Sequence, residues 1–411
     1  MLAKTLKSGL GNWVDGERFF DREREMALFR EYLQSRTSLL LVAPRRIGKT
    51  SFMREAARRL GGDIIALHVD LQKAMSPEEA IVELGLACRP HASLWTKAVG
   101  AFGDVLSKIE NVKLSELSVT LRSALTSANW RQKGDELIAQ LSSVAEQSKK
   151  PAIIFFDEVP ILINRVLKGT GGDNLDERKL VADSFMSWMR DNALRHKDNV
   201  VFVVTGSIGL EPVLRAAGLS GTLNAFHAFE LPPWKVDVAE ACLLALAAEK
   251  KLPLPSPVAA HMINLLGCAI PHHVQMFFDH VYSAYFLDDK EGDVPISLVD
   301  AVYNGRMTGL RGHAELMHME ERLKMVLTEE QFDLALTLLT ETAVVGVLAP
   351  AASLAITKSF GGKRNDLLET LSILQHDGYI QHQGENFVFV SNLVRDWWKN
   401  RFGHGYAPAK C

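Results

Sequence analysis

Residues 38 to 53 read Ser38-Leu39-Leu40-Leu41-Val42-Ala43-Pro44-Arg45-Arg46-Ile47-Gly48-Lys49-Thr50-Ser51-Phe52-Met53. Leu39 to Val42 form a short apolar run without alternation, the pattern of a parallel strand covered on both faces, and helical spacing begins after Gly48. Residues 43 to 50 between them have the spacing of a phosphate-cradling loop in all but the first position. Such a loop aims successive backbone N–H groups at phosphate oxygens, and the positive end of the following helix adds its dipole. Pro44, Arg45, Arg46, Ile47, Gly48, Lys49, Thr50 and Ser51 are therefore the candidate binding residues. Lys49 is expected to reach the β- and γ-phosphates, and the Thr50 hydroxyl to complete a Mg²⁺ shell. Ala43 stands where the usual pattern has Gly, which costs little provided its φ is negative.

Working outward, residues 18–34 predict a helix entered from an aromatic segment, with Asp21 as N-cap and Met26, Leu28, Phe29, Tyr32 and Leu33 as its buried face. The loop helix runs to Leu60 and stops at Gly61-Gly62. Residues 64–70 are the next strand, with Asp70 at its C-terminal end, where ligands of open α/β sheets gather. Residues 76–148 read as a mostly helical insertion opened by Ser76-Pro77, with an extended piece at 112–121.

Pro151-Ala-Ile-Ile-Phe-Phe-Asp157-Glu158 is the second decisive stretch, a fully apolar strand ending in two acids. Asp157 is expected to hold Mg²⁺ through water, and Glu158 to deprotonate the water that attacks the γ-phosphate. Residues 199–205 repeat the buried-strand pattern and end in Thr205-Gly206-Ser207. Either hydroxyl could sense the γ-phosphate or cap the next turn, and Ser207 is taken as the catalytic candidate. A last strand at 225–231 ends at Pro232-Pro233.

The bulk numbers exclude several classes. At 411 residues the chain is long enough for two or three domains; 47% hydrophobic and 23% charged residues describe a globular protein, and a net charge of −3 is no general nucleic-acid magnet. Cys88, Cys242, Cys268 and Cys411 form no CxxC pair, so a disulfide framework or zinc knuckle is not indicated and a reducing cytoplasm is expected. No apolar run reaches the ~18 residues of a membrane span, and the N-terminus lacks a signal-peptide core, so no membrane partner is expected.

Phe19-Phe20-Asp21-Arg22-Glu23, Pro44 to Ser51, Phe155-Phe156-Asp157-Glu158, Thr205-Gly206-Ser207 and Gly267-Cys-Ala-Ile-Pro271 together resemble the archaeal-type ATPases, which group with STAND regulators and AAA-like ATPases in the additional-strand P-loop class. The resemblance implies an α/β fold: a five-stranded parallel sheet over 1–233 with its insertion at 76–148, then an α-helical lid at 234–325. ATP lies between them, with Phe19, Phe20, Arg22 and Pro271 near the base. His272 or His273 could touch a phosphate, although core or surface histidines are commoner. Arg190, Arg195 and Arg215 are open candidates for an arginine finger.

Residues 326–411 predict three helices at 329–340, 350–359 and 363–377, then a hairpin about Gly384 and a closing helix at 392–402. This order resembles a winged helix. Its seven basic residues against nine acidic ones leave no phosphate-binding footprint, though Lys363 and Arg364 could contact a backbone locally. His313-Ala-Glu-Leu-Met-His318 lacks the HExxH order of a zinc helix and is expected to be a solvated helix.

The function expected is a Mg²⁺-dependent ATP-binding and hydrolysing switch that regulates a partner protein or a homo-oligomer, slow or partner-stimulated. The alternatives are an ATP-dependent DNA-loading protein and a nucleotide-binding scaffold that hardly hydrolyses. No nuclease, protease or repeat module is recognisable, so an effector is expected to come from another protein.

Overall fold

The computed structural model describes residues 6, 9, 13–101, 125–169, 174–206, 209–288, 291–309 and 313–409. The expected extended piece at 112–121 and the candidate Ser207 lie outside them. The chain divides into two compact units: Arg22–Val42 with Phe52–Leu231, and Met1–Asp21 with Ala43–Ser51 and Pro232–Cys411.

The first of these units is a sheet covered by helices. Helix α1 (Glu23–Gln34) leads into β1 (Leu39–Val42), and α2 (Lys49–Leu60) into β2 (Ile65–Asp70). Helices α3 (Pro77–Ala87), α4 (Ala92–Ala101) and α5 (Trp130–Ser148) precede β3 (Ala152–Asp157). Helices α6 (Val159–Lys168) and α7 (Leu175–Arg195) separate it from β4 (Val200–Thr205), and α8 (Leu210–Ala217) comes before β5 (His227–Glu230). The five strands are parallel in the order β2-β3-β4-β1-β5. Strand β4 thus stands between β1 and β3. Residues 152–156 of β3 and every residue of β4 are buried, so these strands read as continuous apolar runs rather than alternating ones. In β1, Leu40 and Val42 are only half-buried, a departure from the two-sided cover expected of that run.

Local chemistry explains most element starts. Ser76 caps α3 by accepting from the Glu79 amide, with Pro77 at the first helical position, and Asn174 caps α7 in the same way through Glu177. Helix α1 differs from expectation. Asp21 (φ 58°) and Arg22 (φ 72°) both take the left-handed region, Arg22 is the N-cap residue, and no side chain caps the helix. Met26, Phe29 and Leu33 are buried, whereas Leu28 is exposed because two residues beyond Met26 is just over half a turn round the helix. The rings of Phe29, Phe52 and Phe229 meet at 5.2–5.8 Å and join α1, α2 and β5. Fully buried Glu55 of α2 accepts from Arg58 and Arg59, and Arg59 also reaches Glu23 of α1 at 2.6 and 2.9 Å.

At the end of β4, a Cβ on Gly206 would lie 2.3 Å from Cδ of Pro160 in α6. Gly206→Ala is therefore expected to push α6 off the strand and destabilise by about 1–3 kcal/mol. At Gly221 nothing lies within 4 Å of an added Cβ, so Gly221→Ala should stay within about 0.5 kcal/mol. Urea unfolding of the two variants checks the contrast.

In the second unit, α9 (Val236–Lys250), α10 (Ser256–Leu266), α11 (Pro271–Leu287) and α12 (Ile296–Val302) form a helical layer, followed by α13 (His313–Val326). Then come α14 (Glu329–Val345), α15 (Pro350–Ser359), α16 (Arg364–His376), the antiparallel hairpin β6 (Ile380–Gln383) and β7 (Asn386–Phe389), and α17 (Asn392–Phe402). The helix–helix–helix–hairpin order matches expectation, with α14 five residues longer at its C-terminal end. One apolar core runs through both parts, including Phe277, Leu338, Tyr379, Trp397 and Trp398.

That core contains a buried ion pair. Arg322 of α13 donates from Nε and Nη2 to the two oxygens of Asp377, each at 2.9 Å. Burial raises the Asp377 pKa, but the charge of Arg322 with its two hydrogen bonds, and the nearby His376 ring, outweigh it and hold the group below its ordinary 3.8. A depressed carboxylate contributes stability that is complete above the unfolded pKa and lost as pH falls through the folded one. Arg322→Leu should cost about 3–5 kcal/mol at pH 7 by stranding a buried carboxylate. The gap from wild type should narrow below pH 3.8, which thermal melts at pH 7 and pH 3 would read.

Candidate functional site

Strands β3, β4 and β1 run parallel and end at one edge of the sheet, at Asp157, Thr205 and Val42. Beyond Val42 the backbone turns through residues 43–48 into α2. Arg46 (φ 65°) and Gly48 (φ 94°) take the left-handed region, and Ala43 does not. The missing first glycine therefore carries no backbone strain. A non-glycine residue in that region costs roughly 1–2 kcal/mol, so the loop holds its strain at Arg46. The Lys49 ammonium donates to the carbonyls of Ala43 at 3.0 Å and Pro44 at 3.1 Å, curled under the loop and nearly buried. Ile47 is buried and Thr50 half-buried. The Ser51 hydroxyl accepts from the Val14 amide at 3.0 Å, which ties the start of α2 to the N-terminal segment.

The acidic pair closes β3. Asp157 stands in register with Asp70 of β2, whose carboxylate accepts from the Gln72 amide. Asp157 itself accepts from the Glu158 amide at 3.1 Å. Glu158 is the N-cap residue of α6 at φ 63° and ψ 31°, a strained conformation at the position expected to carry the general base. Both carboxylates are half-buried.

Thr205 is buried, and its hydroxyl points at the Leu41 carbonyl of the neighbouring strand at 3.5 Å. It closes the β4–β1 seam rather than the ligand edge. Phe19 is buried, and the Phe20 ring packs edge-on against Trp234 at 5.8 Å. Arg22 is nearly buried and ion-paired with Glu25 at 2.8 Å. Pro271 is the first residue of α11 and is buried. The finger candidates are exposed: Arg190 on α7, Arg195 with Asp135 at 4.0 Å, and Arg215 bound to Glu211 of its own helix.

His318 departs from expectation, and His273 takes the core alternative. His318 is buried on α13, not solvated, and His273 is buried in the first turn of α11. Burial first, then the charges of Arg45, Arg46, His273 and His272, lower the His318 pKa to about 2. Burial, His272 and Arg46 lower that of His273 to about 3. Spacing alone could not mark His318, because Leu316, Met319 and Leu323 around it are the ordinary apolar face of a helix. The left-handed backbones of Arg46 and Glu158 leave no composition signal either.

Among the described residues no three His, Cys, Asp or Glu side chains form a ready metal cluster, and no helix is long and apolar enough to cross a membrane.

No curated protein sequence matches the chain. Among the solved structures of similar fold are the following two. One is a Walker-type ATPase of Pyrococcus abyssi, with 17% identity, a TM-score of 0.60 and coverage of 95% of this chain and 99% of that one. Another is the ORC2 protein of Aeropyrum pernix in ADPNP–ADP complexes, with 11% identity, a TM-score of 0.54 and coverage of 94% and 98%. Residues 39–216 match the model of the ATPase family associated with various cellular activities (AAA). The match covers less than half of the chain and holds both the 43–50 loop and the Asp157–Glu158 pair; the enzyme class it supports is P-loop ATPase.

Proposed function

We propose that the chain is a Mg²⁺-dependent switch that binds and hydrolyses ATP and regulates a partner protein through its C-terminal part, with 1–233, 234–325 and 326–411 as ATPase, lid and winged-helix domains. The observation that carries this reading is the sheet edge where β1 leads into the 43–50 loop and β3 ends in Asp157 and a strained Glu158. In this reading residues 44–51 cradle the phosphates, and Lys49 exchanges the carbonyls of Ala43 and Pro44 for phosphate oxygens. Phe20, Arg22 and Pro271 flank the base. Glu158 takes a proton from the attacking water. Ser207 is kept as the residue that senses the γ-phosphate, since Thr205 is committed to the β4–β1 seam.

The donor set suits Mg²⁺. The Thr50 hydroxyl and the Asp157 carboxylate are hard oxygen ligands, and an ion held mainly by phosphates and water needs no cluster of three protein acids. When bound, the ion neutralises charge on the phosphates. Phosphate release from ATP, with and without Mg²⁺, tests the reading; a protein that binds ATP but releases no phosphate under any condition would leave only a scaffold.

A second reading has one supporting observation, the helix–helix–helix–hairpin order of residues 329–389, which resembles a DNA-binding winged helix. It predicts ATP-dependent duplex binding whose affinity falls steeply with salt. The acidic balance of residues 327–411 argues for the protein partner or a second copy of the chain instead.

A further inference from the structure

The parallel sheet has two outer strands, β2 and β5, and their free edges are finished differently. Along β2 the amides of Ile65 and Leu71 bond to the Pro151 and Asp157 carbonyls on the β3 side, so Ala66 faces outward, and its carbonyl accepts from Nε2 of His91 at 3.1 Å. Along β5 the amides of His227 and Leu231 bond to the Ser38 and Val42 carbonyls on the β1 side at 2.8 and 3.0 Å. Alternation then turns the N–H and C=O groups of Ala228 and Glu230 outward. Both residues are exposed, and these groups have no hydrogen-bond partner among the described residues. An edge of this kind is a template for another strand.

Helix α1 lies along the same edge. Its Phe29 ring meets Phe229 at 5.4 Å, and its Tyr32 ring meets His227 at 4.8 Å with a 3.0 Å hydrogen bond between Oη and Nε2, so the helix runs opposite to β5. Leu28, next to Phe29 and one turn before half-buried Tyr32, therefore comes level with Phe229 on the outer flank, where it is 45% exposed. Arg24 precedes Leu28 by one turn on this flank and Glu31 follows it by one. Both are exposed, and neither has an ion-pair partner among the described residues.

The pattern is self-complementary. About a two-fold axis at Phe229, Ala228 of each β5 lies opposite Glu230 of the other, and each such pair exchanges N–H···O=C bonds in both directions. The same axis passes beside Leu28, so the two Leu28 side chains meet and Arg24 of each α1 faces Glu31 of the other. Two outward residues make only a short ladder, and the helix flank adds the apolar contact and the charge match that favour a second copy over an unrelated extended segment. We propose that the free edge of β5 and the outer flank of α1 form an isologous interface between two copies of this chain, joining their sheets into one. It goes beyond the ATPase reading, because no nucleotide takes part in it.

Sedimentation equilibrium of the full chain without nucleotide, at concentrations up to about 100 µM, should show a dimer. Glu31→Arg sets like charges against each other on both sides of the axis, and Ala228→Pro removes an outward N–H while leaving the bonds to β1 in place. Each should weaken the dimer at least about tenfold. Arg24→Glu combined with Glu31→Arg exchanges the two charges and should bring the dimer back to within about threefold of the parent. Far-UV circular dichroism and melting curves check that the variants are folded; should Ala228→Pro not fold, the charge variants carry the test. A chain that is monomeric throughout overturns the interface and leaves the edge to an extended segment of another protein. A dimer that is indifferent to Glu31→Arg, or that the double variant does not restore, also overturns it and moves the contact to another face. A dimer that forms only with ATP and is lost in Lys49→Ala overturns it too, while supporting the ATPase reading.

Discussion

Lys49→Ala is expected to abolish measurable ATP binding, and with it hydrolysis. The ammonium is nearly buried and already bonded to two carbonyls of its own loop, so it is held where the phosphates would arrive. Removing one partner of a buried, hydrogen-bonded charge pair costs about 3 kcal/mol or more, at least on the order of 100-fold in Kd. Folding should survive, because the apolar anchors Ile47 and Phe52 remain buried. Equilibrium titration with a fluorescent ATP analogue reads the effect, and normal affinity in a folded variant would remove the 43–50 loop from the binding site.

Glu158→Gln should separate binding from turnover. The substitution preserves side-chain length and the left-handed backbone at φ 63°, and it removes only the capacity to accept a proton. General-base catalysis contributes on the order of 10²–10⁴-fold, so the turnover number should fall by that factor while Kd for ATP stays within about threefold. An undiminished rate would take Glu158 out of the base role. A parallel loss of binding would instead mean that the carboxylate holds the loop or the metal ion. Asp157→Asn gives the contrast, since a metal ligand should weaken Mg²⁺ dependence as well as rate.

The sheet was readable because its strands are chemically blunt. Residues 152–156 and 200–204 are unbroken apolar runs that only two-sided burial explains, and each ends in polar residues at the ligand edge. The helix start at Ser76 was equally plain, being short-range chemistry between residues three apart. The start of α1 was not, since Asp21 has the right side chain for a cap but a left-handed backbone. The candidate site divides along the same line. Loop and acids are contiguous motifs. By contrast, the burial of His318, its approach to Arg45 and Arg46, and the pairing of Arg322 with Asp377 55 residues away depend on how the C-terminal helices pack. No local pattern encodes that. Thr205 is intermediate: the hydroxyl was visible in the sequence, but its direction toward Leu41 follows from β4 lying next to β1.

In the switch proposed above, the nucleotide state of the 43–51 loop is transmitted to residues 232–411. Hydrogen exchange of the Glu158→Gln protein, saturated with ATP or with ADP, tests it most directly. Different protection is expected at residues 313–326 and 376–390 in the two states, with Lys49→Ala showing none of the difference. Identical exchange there in ATP and ADP, with nucleotide demonstrably bound, would contradict it and leave an ATPase whose C-terminal part does not respond.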